Sequence, residues 1–385
     1  KNNQKNYKTL KEKPKILQIF NQINEQLSEG HTVYEMTVNN EDEKSLIAEL
    51  TDNNWASVIG ADDELRNHDT NAPIILQKLA QAVDEVVETQ VSYIVWLHRQ
   101  WYAEQSLAKQ LMKIAHRKVA AFNGISSSRE VDNGLAPKPN TMQQLAIDKS
   151  SQHALSIIIG GPGTGKTFTV AKLVTTLQKG HEHKRKQDPN LPPLSITLTA
   201  PTGKAAQRMQ ESLRISLQKS LQDEEITLDN AKTLHRLLGI GSDGIPRYHA
   251  KNPLPDDLII VDEASMLGLE LASQLVDAIK PTGRLILLGD ANQLAAVDAG
   301  SVLSDLCAVT RLQPYITELT ESKRFDSNSV VGQFALAIQQ NLPAPKKLKL
   351  IHQLLQTIDL QAIKPSQIEN PPELASETQQ TANIP

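Results

Sequence analysis

Gly160-Gly161-Pro162-Gly163-Thr164-Gly165-Lys166-Thr167 is the stretch on which the fold turns. It satisfies the pattern G-x-x-x-x-G-K-[S/T], with an apolar run before it at residues 155–159 and an amphipathic run after it at 169–177. Strand, glycine-rich turn and helix in that order make a phosphate cradle. The glycines let successive backbone N–H groups point inward, the helix N-terminus adds partial positive charge, and the lysine adds a full one. The expectation is ATP binding, with Gly160, Gly161, Pro162, Gly163, Thr164, Gly165 and Lys166 around the phosphates and Phe168 included among the nucleotide contacts. The Thr167 hydroxyl is expected on Mg²⁺.

Working outward, short β-rich runs alternate with longer amphipathic ones. Strands are expected at 155–159, 194–198, 258–261 and 284–288, with helix-like runs between them. This alternation predicts an α/β fold, a P-loop parallel sheet with helices on both faces and its ligands at the carboxyl ends of the strands. The run at 258–261 ends in Asp262 and Glu263, the pattern of a buried strand delivering carboxylates to a phosphate site. Asp262 is expected to hold Mg²⁺ and Glu263 to orient and deprotonate the attacking water. The run at 284–288 ends in Gly289-Asp290-Ala291-Asn292-Gln293, where Asp290 and Gln293 are expected beside the metal and the γ phosphate. Arg324, in Lys323-Arg324-Phe325, is a candidate second cation for charge that builds on the γ phosphate.

The region before residue 135 reads differently. Ile74, Ile75, Leu79, Ala82, Val83 and Val86 fall at helical spacing, as do residues of 92–121, so a mainly helical N-terminal domain is expected there. Gly134, Pro137 and Pro139 mark a linker. The expected division is 1–135, 136–342 with a small hairpin insertion at 245–256, and 343–385, which begins with an amphipathic stretch and is expected as the truncated start of a second lobe or a disordered tail. The apolar fraction of 39% and charged fraction of 22% are those of a globular chain, and the net charge of −4 gives no global pull toward polyanions. The one cysteine, Cys307, excludes an intrachain disulfide and is expected as a buried structural thiol. No apolar run approaches the ~18 to 20 residues needed to span a bilayer, and no signal-type core follows the polar start, so the expectation is no membrane and a cytoplasmic location.

Two further segments suit a polyanionic strand. Thr199-Ala200-Pro201-Thr202-Gly203-Lys204 opens a helix with small and hydroxyl residues, an end that binds phosphate well. Thr233, His235 and Arg236 offer similar groups, although a histidine between leucines is more often a core residue than a ligand. The basic run at 179–186 reads as a solvated loop.

These segments, in this order, resemble the motifs of superfamily 1 helicases, and most closely the RecD family, the alpha subunit of exodeoxyribonuclease V. Over roughly residues 90–340, Gln143 resembles the glutamine that reads adenine, 199–204 resembles motif Ia, and 233–239 motif Ib. Asp262-Glu263-Ala264-Ser265 is similar to motif II, Gly289-Asp290 with Gln293 to motif III, and Ser322 to Phe325 to motif IV. Tyr248-His249-Ala250-Lys251-Asn252-Pro253-Leu254 resembles the family's small hairpin insertion. Leu97 to Trp101 with Glu104 resembles its partner-docking N-terminal domain. The resemblance implies a RecA-like sheet in an ATP-dependent DNA helicase subunit moving 5′ to 3′ on single-stranded DNA in break repair and recombination. Pro201, Thr202, Gly203, Lys204, Thr233, His235 and Tyr248 would contact that DNA, and RecB-like and RecC-like subunits would complete a heterotrimer. Two features depart from the family pattern. Lys323 stands where an aromatic residue is usual, and no His-Lys-Ser-Gln-Gly-type motif V or arginine-bearing motif VI is found in these residues. The alternative expectation is therefore an ATP-binding docking module with little turnover, a second motor lobe being absent from this sequence.

Overall fold

The computed structural model describes residues 14–38, 41–59, 72–79, 91–119, 138–220, 230–291, 293, 300, 302–321 and 344–357. Its centre is a six-stranded parallel sheet. In chain order the strands are β5 (Leu155–Gly160), β6 (Ile196–Ala200), β7 (Lys232–Thr233), β8 (Leu258–Val261), β9 (Arg284–Gly289) and β10 (Ile316–Leu319). Across the sheet they lie β10-β5-β9-β8-β6-β7, every pairing parallel. A parallel strand covered on both faces has no reason to alternate, so β6 and β8 are buried at every position and read as unbroken apolar or small-residue runs.

Helices cover both faces. On one, α4 (Thr141–Gln152), α5 (Lys166–Gln187) and α6 (Gly203–Ser220) pack Ile147, Val170, Leu173, Leu177, Met209 and Leu213 against Ile158, Leu198, Ile260 and Leu288. On the other, α3 (His98–Ala115), α7 (Leu234–Leu238), α8 (Leu269–Ala278) and α9 (Val302–Ala308) enclose Leu155, Ile157, Ile259, Leu285 and Leu287. The strand–helix alternation expected of the α/β class is present, and the sheet carries the phosphate loop on β5.

Among the described residues the N-terminal region has three helices, α1 (Pro14–Ser28, 15 residues), α2 (Glu41–Asp52, 12 residues) and α3 (18 residues). A helical N-terminal region is present as expected, with α3 inside the stretch 92–121. What the periodicity concealed is the four-stranded sheet the helices attend, in order β1 (Tyr34–Val38), β4 (Val91–Leu97), β3 (Ile74–Lys78), β2 (Ala56–Ile59). Ile74 and Ile75, expected on a helix, lie in β3; Ile94 and Leu97 lie in β4. Ala82, Val83 and Val86 fall outside the described residues. A short apolar run fits either period, and here pairing of β3 with both β2 and β4 decides it. Ile16, Ile19 and Ile23 of α1 cover one face with Leu76 and Val95; Trp96 and Trp101 join Ile59 and Ile75 on the other.

Two expected boundaries move. The break placed at residue 135 falls after α3, yet Leu107, Leu111 and Ile114 of α3 already belong to the core of the six-stranded sheet. By its contacts the chain forms one unit over Lys1–Ser322 and a second over Lys323–Pro385. The second contains α10 (Ala344–Thr357), where the amphipathic stretch was read. The basic run at 179–186 is also not a loop. It forms the last turns of α5, where Glu182 pairs with Arg185 at 2.9 Å and Lys184, Arg185 and Lys186 complement the negative helix end.

Candidate functional site

The phosphate loop is held by backbone conformations that only glycine adopts easily. Gly163 and Gly165 have φ of 81° and 84°, the left-handed region. A Cβ on Gly160 would meet Thr164 Oγ1 at 2.7 Å and the Leu319 carbonyl at 2.8 Å, so β10 itself limits that position. Thr164 is buried, and its hydroxyl donates to the Gly161 carbonyl at 2.9 Å, closing the loop on itself.

Gln143 is tied to the phosphate loop. Its backbone N–H donates to Asn140 Oδ1 at 2.8 Å while its own Oε1 accepts from the Asn140 N–H at 3.0 Å, a reciprocal capping box at the start of α4. Its Nε2 donates to the Thr164 carbonyl at 3.1 Å, and the residue is 0% exposed. With both ends of the amide engaged and no exposed surface, Gln143 braces the phosphate loop. The signal was in the sequence: Asn140-x-x-Gln143 is the spacing of a capping box.

The Lys166 ammonium donates to the Gly160 carbonyl and to that of Gly161 at 3.2 Å. Burial pushes it below the usual lysine range, while Asp290, Asp262 and Glu263 favour its charged form. All four groups therefore share one electrostatic neighbourhood. β5, β9 and β8 are consecutive in the sheet, so their carboxyl ends bring together three segments that lie far apart in sequence. Thr167, in the first turn of α5, is half-buried, as is Phe168.

At the end of β8, Asp262 Oδ1 accepts from the Glu263 N–H at 2.9 Å. Burial raises the Asp262 carboxyl above its ordinary range; Glu263 adds to the rise, and the Glu263 N–H and Lys166 oppose it. Glu263 has φ 53°, a left-handed conformation uncommon for a side chain of its size. Such local strain, of order 1–3 kcal/mol, tends to persist where the surroundings fix a functional side chain. Ser265 follows in the same turn, and its hydroxyl donates to Gln293 Oε1 at 3.1 Å. The Gln293 N–H in turn donates to the Asp290 carbonyl at 3.1 Å. Gln293 is thus tied to the segment that carries Asp262 and Glu263, a link that the sequence did not disclose. A hydroxyl and carboxylates form an oxygen donor set suited to a hard divalent cation bound mainly through phosphate and water. Arg324 lies outside the described residues.

The expected DNA contacts occupy the same edge of the sheet. Thr202 Oγ1 accepts from the Ala205 N–H at 3.3 Å at the start of α6, with Gly203 and Lys204 exposed beside it. Thr233 caps α7, accepting from the Arg236 N–H at 3.3 Å, and leaves His235 exposed. A Cβ on Gly203 would lie 3.9 Å from Thr233 Cγ2, so the two segments adjoin. Pro201 is half-buried. Tyr248 is less suited to stacking on a base than expected: it packs on the core, and Arg247 sits 5.7 Å from its ring centroid. The expected hairpin there reduces to one bridge between His249 and Asn252.

Fold and site together define a P-loop α/β domain, and the AAA domain family matches residues 143–299. That match and the left-handed glycines of the phosphate loop support nucleotide binding. Beyond it, the chain is similar to RecD: it is 33% identical over 287 residues to the RecBCD enzyme subunit RecD of Haemophilus influenzae, covering 64% of this chain and 43% of that protein. The RecD subunit of Mycolicibacterium smegmatis is 36% identical over 251 residues, with 64% and 43% covered. The ATP-dependent RecD2 DNA helicase of Deinococcus radiodurans is 37% identical over 193 residues, 50% of this chain and 23% of that one. The chain therefore spans less than half the length of these relatives. Among solved structures, Pif1 helicase from Candida albicans has a TM-score of 0.33 at 17% identity, covering 54% of this chain and 46% of that one. Among the described residues no helix is long and apolar enough to cross a membrane.

Proposed function

We propose that this chain supplies the ATP-binding lobe of a RecD-type DNA helicase subunit, working 5′ to 3′ on single-stranded DNA beside RecB-like and RecC-like subunits in the cytoplasm, in break repair and recombination. The observation that carries the reading is the shared edge: phosphate loop, Asp262–Glu263 and Asp290–Gln293 end β5, β8 and β9, while the two DNA segments end β6 and β7. Nucleotide and strand would then be read by neighbouring loops of one sheet. In this reading Lys166 moves from its loop carbonyls onto the β and γ phosphates, with Gly160 to Gly165 supplying N–H donors. Thr167 and Asp262 would hold Mg²⁺, which supplies charge neutralisation to the phosphate oxygens when bound. Glu263 accepts the proton of the attacking water. Gln293, through Ser265, passes a change at the γ phosphate to the loops beside it, and Arg324 would add a second cation.

The test is ATP hydrolysis by the 385-residue chain with and without single-stranded DNA, alongside unwinding of a 5′-tailed duplex. Strand-stimulated turnover that Glu263→Gln abolishes supports the helicase reading. ATP bound and not turned over, with or without DNA, supports the docking-module alternative.

A further inference from the structure

A cleft of about 340 Å³ opens at the amino-terminal edge of the six-stranded sheet, where Leu258 and Arg284, the first residues of β8 and β9, form part of its wall. Four cationic side chains line it: Arg117 and Lys118 just past α3, Lys184 in the last turns of α5, and Arg284. Among the described residues the only carboxylate in the lining is Asp257, and it is already engaged. Its Oδ1 accepts from Lys280 Nζ at 2.6 Å and its Oδ2 from the Ser195 N–H at 2.9 Å. Arg117 Nη1 donates to the carbonyls of Lys280 at 3.0 Å and Gly283 at 2.9 Å, and among the described residues no carboxylate pairs with it. Burial pushes both Arg117 and Arg284 below the usual arginine range. Helix ends attract cations, which accounts for Lys184. It does not account for Arg284, which opens a strand, or for Arg117, which is turned onto the loop before β9. On a chain of net charge −4, four cations around one neutralised carboxylate are a local concentration of positive charge.

We propose that this cleft docks an acidic segment of a partner protein, with its carboxylates against Arg117, Lys118 and Lys184 and its aliphatic side chains against Val119, Leu177 and Leu194. Charge complementarity carries the choice of occupant: a guanidinium with N–H groups to spare matches a carboxylate in geometry as well as in charge. The apolar part of the wall favours protein over nucleic acid. Among the described residues no aromatic side chain lines the cleft, so a base has nothing to stack on, and phosphates alone would leave the aliphatic surface uncovered. Placement agrees, because the phosphate loop and the two expected DNA segments end their strands at the opposite edge of the sheet. A segment docked here would obstruct neither. It would also differ from whatever meets the stretch at 97–101, since the 18 residues of α3 lie between, roughly 27 Å at 1.5 Å per residue. The inference uses no residue of the nucleotide or DNA reading and stands without it.

The test selects binders of the 385-residue chain from a displayed library of random short peptides and measures them by fluorescence anisotropy. Selected peptides are expected to carry Asp or Glu flanked by Leu, Ile or Val. Each is expected to bind about tenfold more tightly than its counterpart with Asn and Gln in place of the acids, the sum of a few partly exposed ion pairs. Lys118→Glu, at an exposed position, is expected to weaken the acidic peptides about tenfold, since attraction gives way to repulsion. A version of the peptide with Lys in place of Glu is expected to regain affinity for that variant, which a merely misfolded protein would not allow. Lys184→Glu is expected to act in the same direction, with thermal melting to confirm that it folds. A selection that yields no binder, or binders without acidic bias, overturns the docking site. Acidic peptides that hold Lys118→Glu and Lys184→Glu as tightly as the wild type also overturn it. So does oligothymidylate binding that Lys118→Glu weakens as much as it weakens the peptides, a result that would assign the cleft to nucleic acid.

Discussion

Gln143 shows how much one side chain decides. Because its amide joins Asn140 to the Thr164 carbonyl, Gln143→Ala removes a helix cap and the brace of the phosphate loop together. The expected loss of stability is about 1 kcal/mol or somewhat more, the range of a lost cap. Affinity for ATP and GTP is expected to fall by the same factor, measured by calorimetry with each nucleotide. A change confined to ATP would support the adenine-reading role that the resemblance implies. At this scale the sequence was partly legible. Gly160 to Thr167, Asp262 and Glu263 announce themselves because phosphate chemistry demands those residue types in that order. The left-handed backbone of Glu263 and the Ser265–Gln293 bond do not, since both arise from how the ends of β8 and β9 meet.

At the scale of elements, α3 is the joint of the molecule. Its Glu104 accepts from the Thr32 hydroxyl at 2.6 Å and from Trp96 Nε1 at 3.1 Å, tying the helix to the N-terminal sheet. Burial raises the Glu104 carboxyl above its ordinary range; the two hydrogen bonds oppose that rise and Asp305 adds to it. A carboxyl with a raised folded pKa binds more protons in the native state, so its stabilisation is complete below the unfolded value. That stabilisation is lost as pH rises through the folded value. Urea midpoints measured between pH 4 and pH 7 are therefore expected to show this contribution in the wild type and its absence in Glu104→Gln. Parallel pH profiles for the two proteins would count against it. Elements were read well where strand length and flanking turns agreed, as at β5, β8 and β9. The run around Ile74 and Ile75 was misread because its spacing fits a helix face, and only the neighbouring strands β2 and β4 settle its state. Trp101 was read as a docking residue, yet it is 4% exposed and packed with Ile59, Ile75 and Trp96. The aromatic residue that α3 leaves in the open is Tyr102, 63% exposed and stacked with His98.

At the scale of the whole molecule, α3 makes the N-terminal region and the ATPase sheet one structural unit. All three tryptophans, Trp55, Trp96 and Trp101, lie in the N-terminal region, so their fluorescence reports its unfolding. Leu111, 1% exposed, lies on the opposite side of the joint, in the core of the ATPase sheet. Leu111→Ala is expected to cost about 3 kcal/mol, as large-to-small changes in cores do, and to shift the tryptophan transition by that amount. A tryptophan transition that stays in place while nucleotide binding is lost would mean that the two regions unfold separately. The sequence suggested a division here because composition and periodicity change near residue 135. It could not reveal that a helix before that point serves the sheet after it, since long-range packing leaves no local mark.

The order of strands in the main sheet has a consequence for the making of the protein. β5 lies between β10 and β9, and both neighbours come much later in the chain. As the polypeptide leaves the ribosome, the strand beneath the phosphate loop emerges with an apolar surface and unbonded edges on both sides. It stays so until residues 284–289 and then 316–319 follow it out. Nucleotide gives this lobe little help in folding early, because the cradle lacks its flanking strands until β9 and β10 are in place. Late pairing of this kind is slow and leaves nascent chains open to aggregation, so the interval between β5 and β10 is where a chaperone would act on this protein.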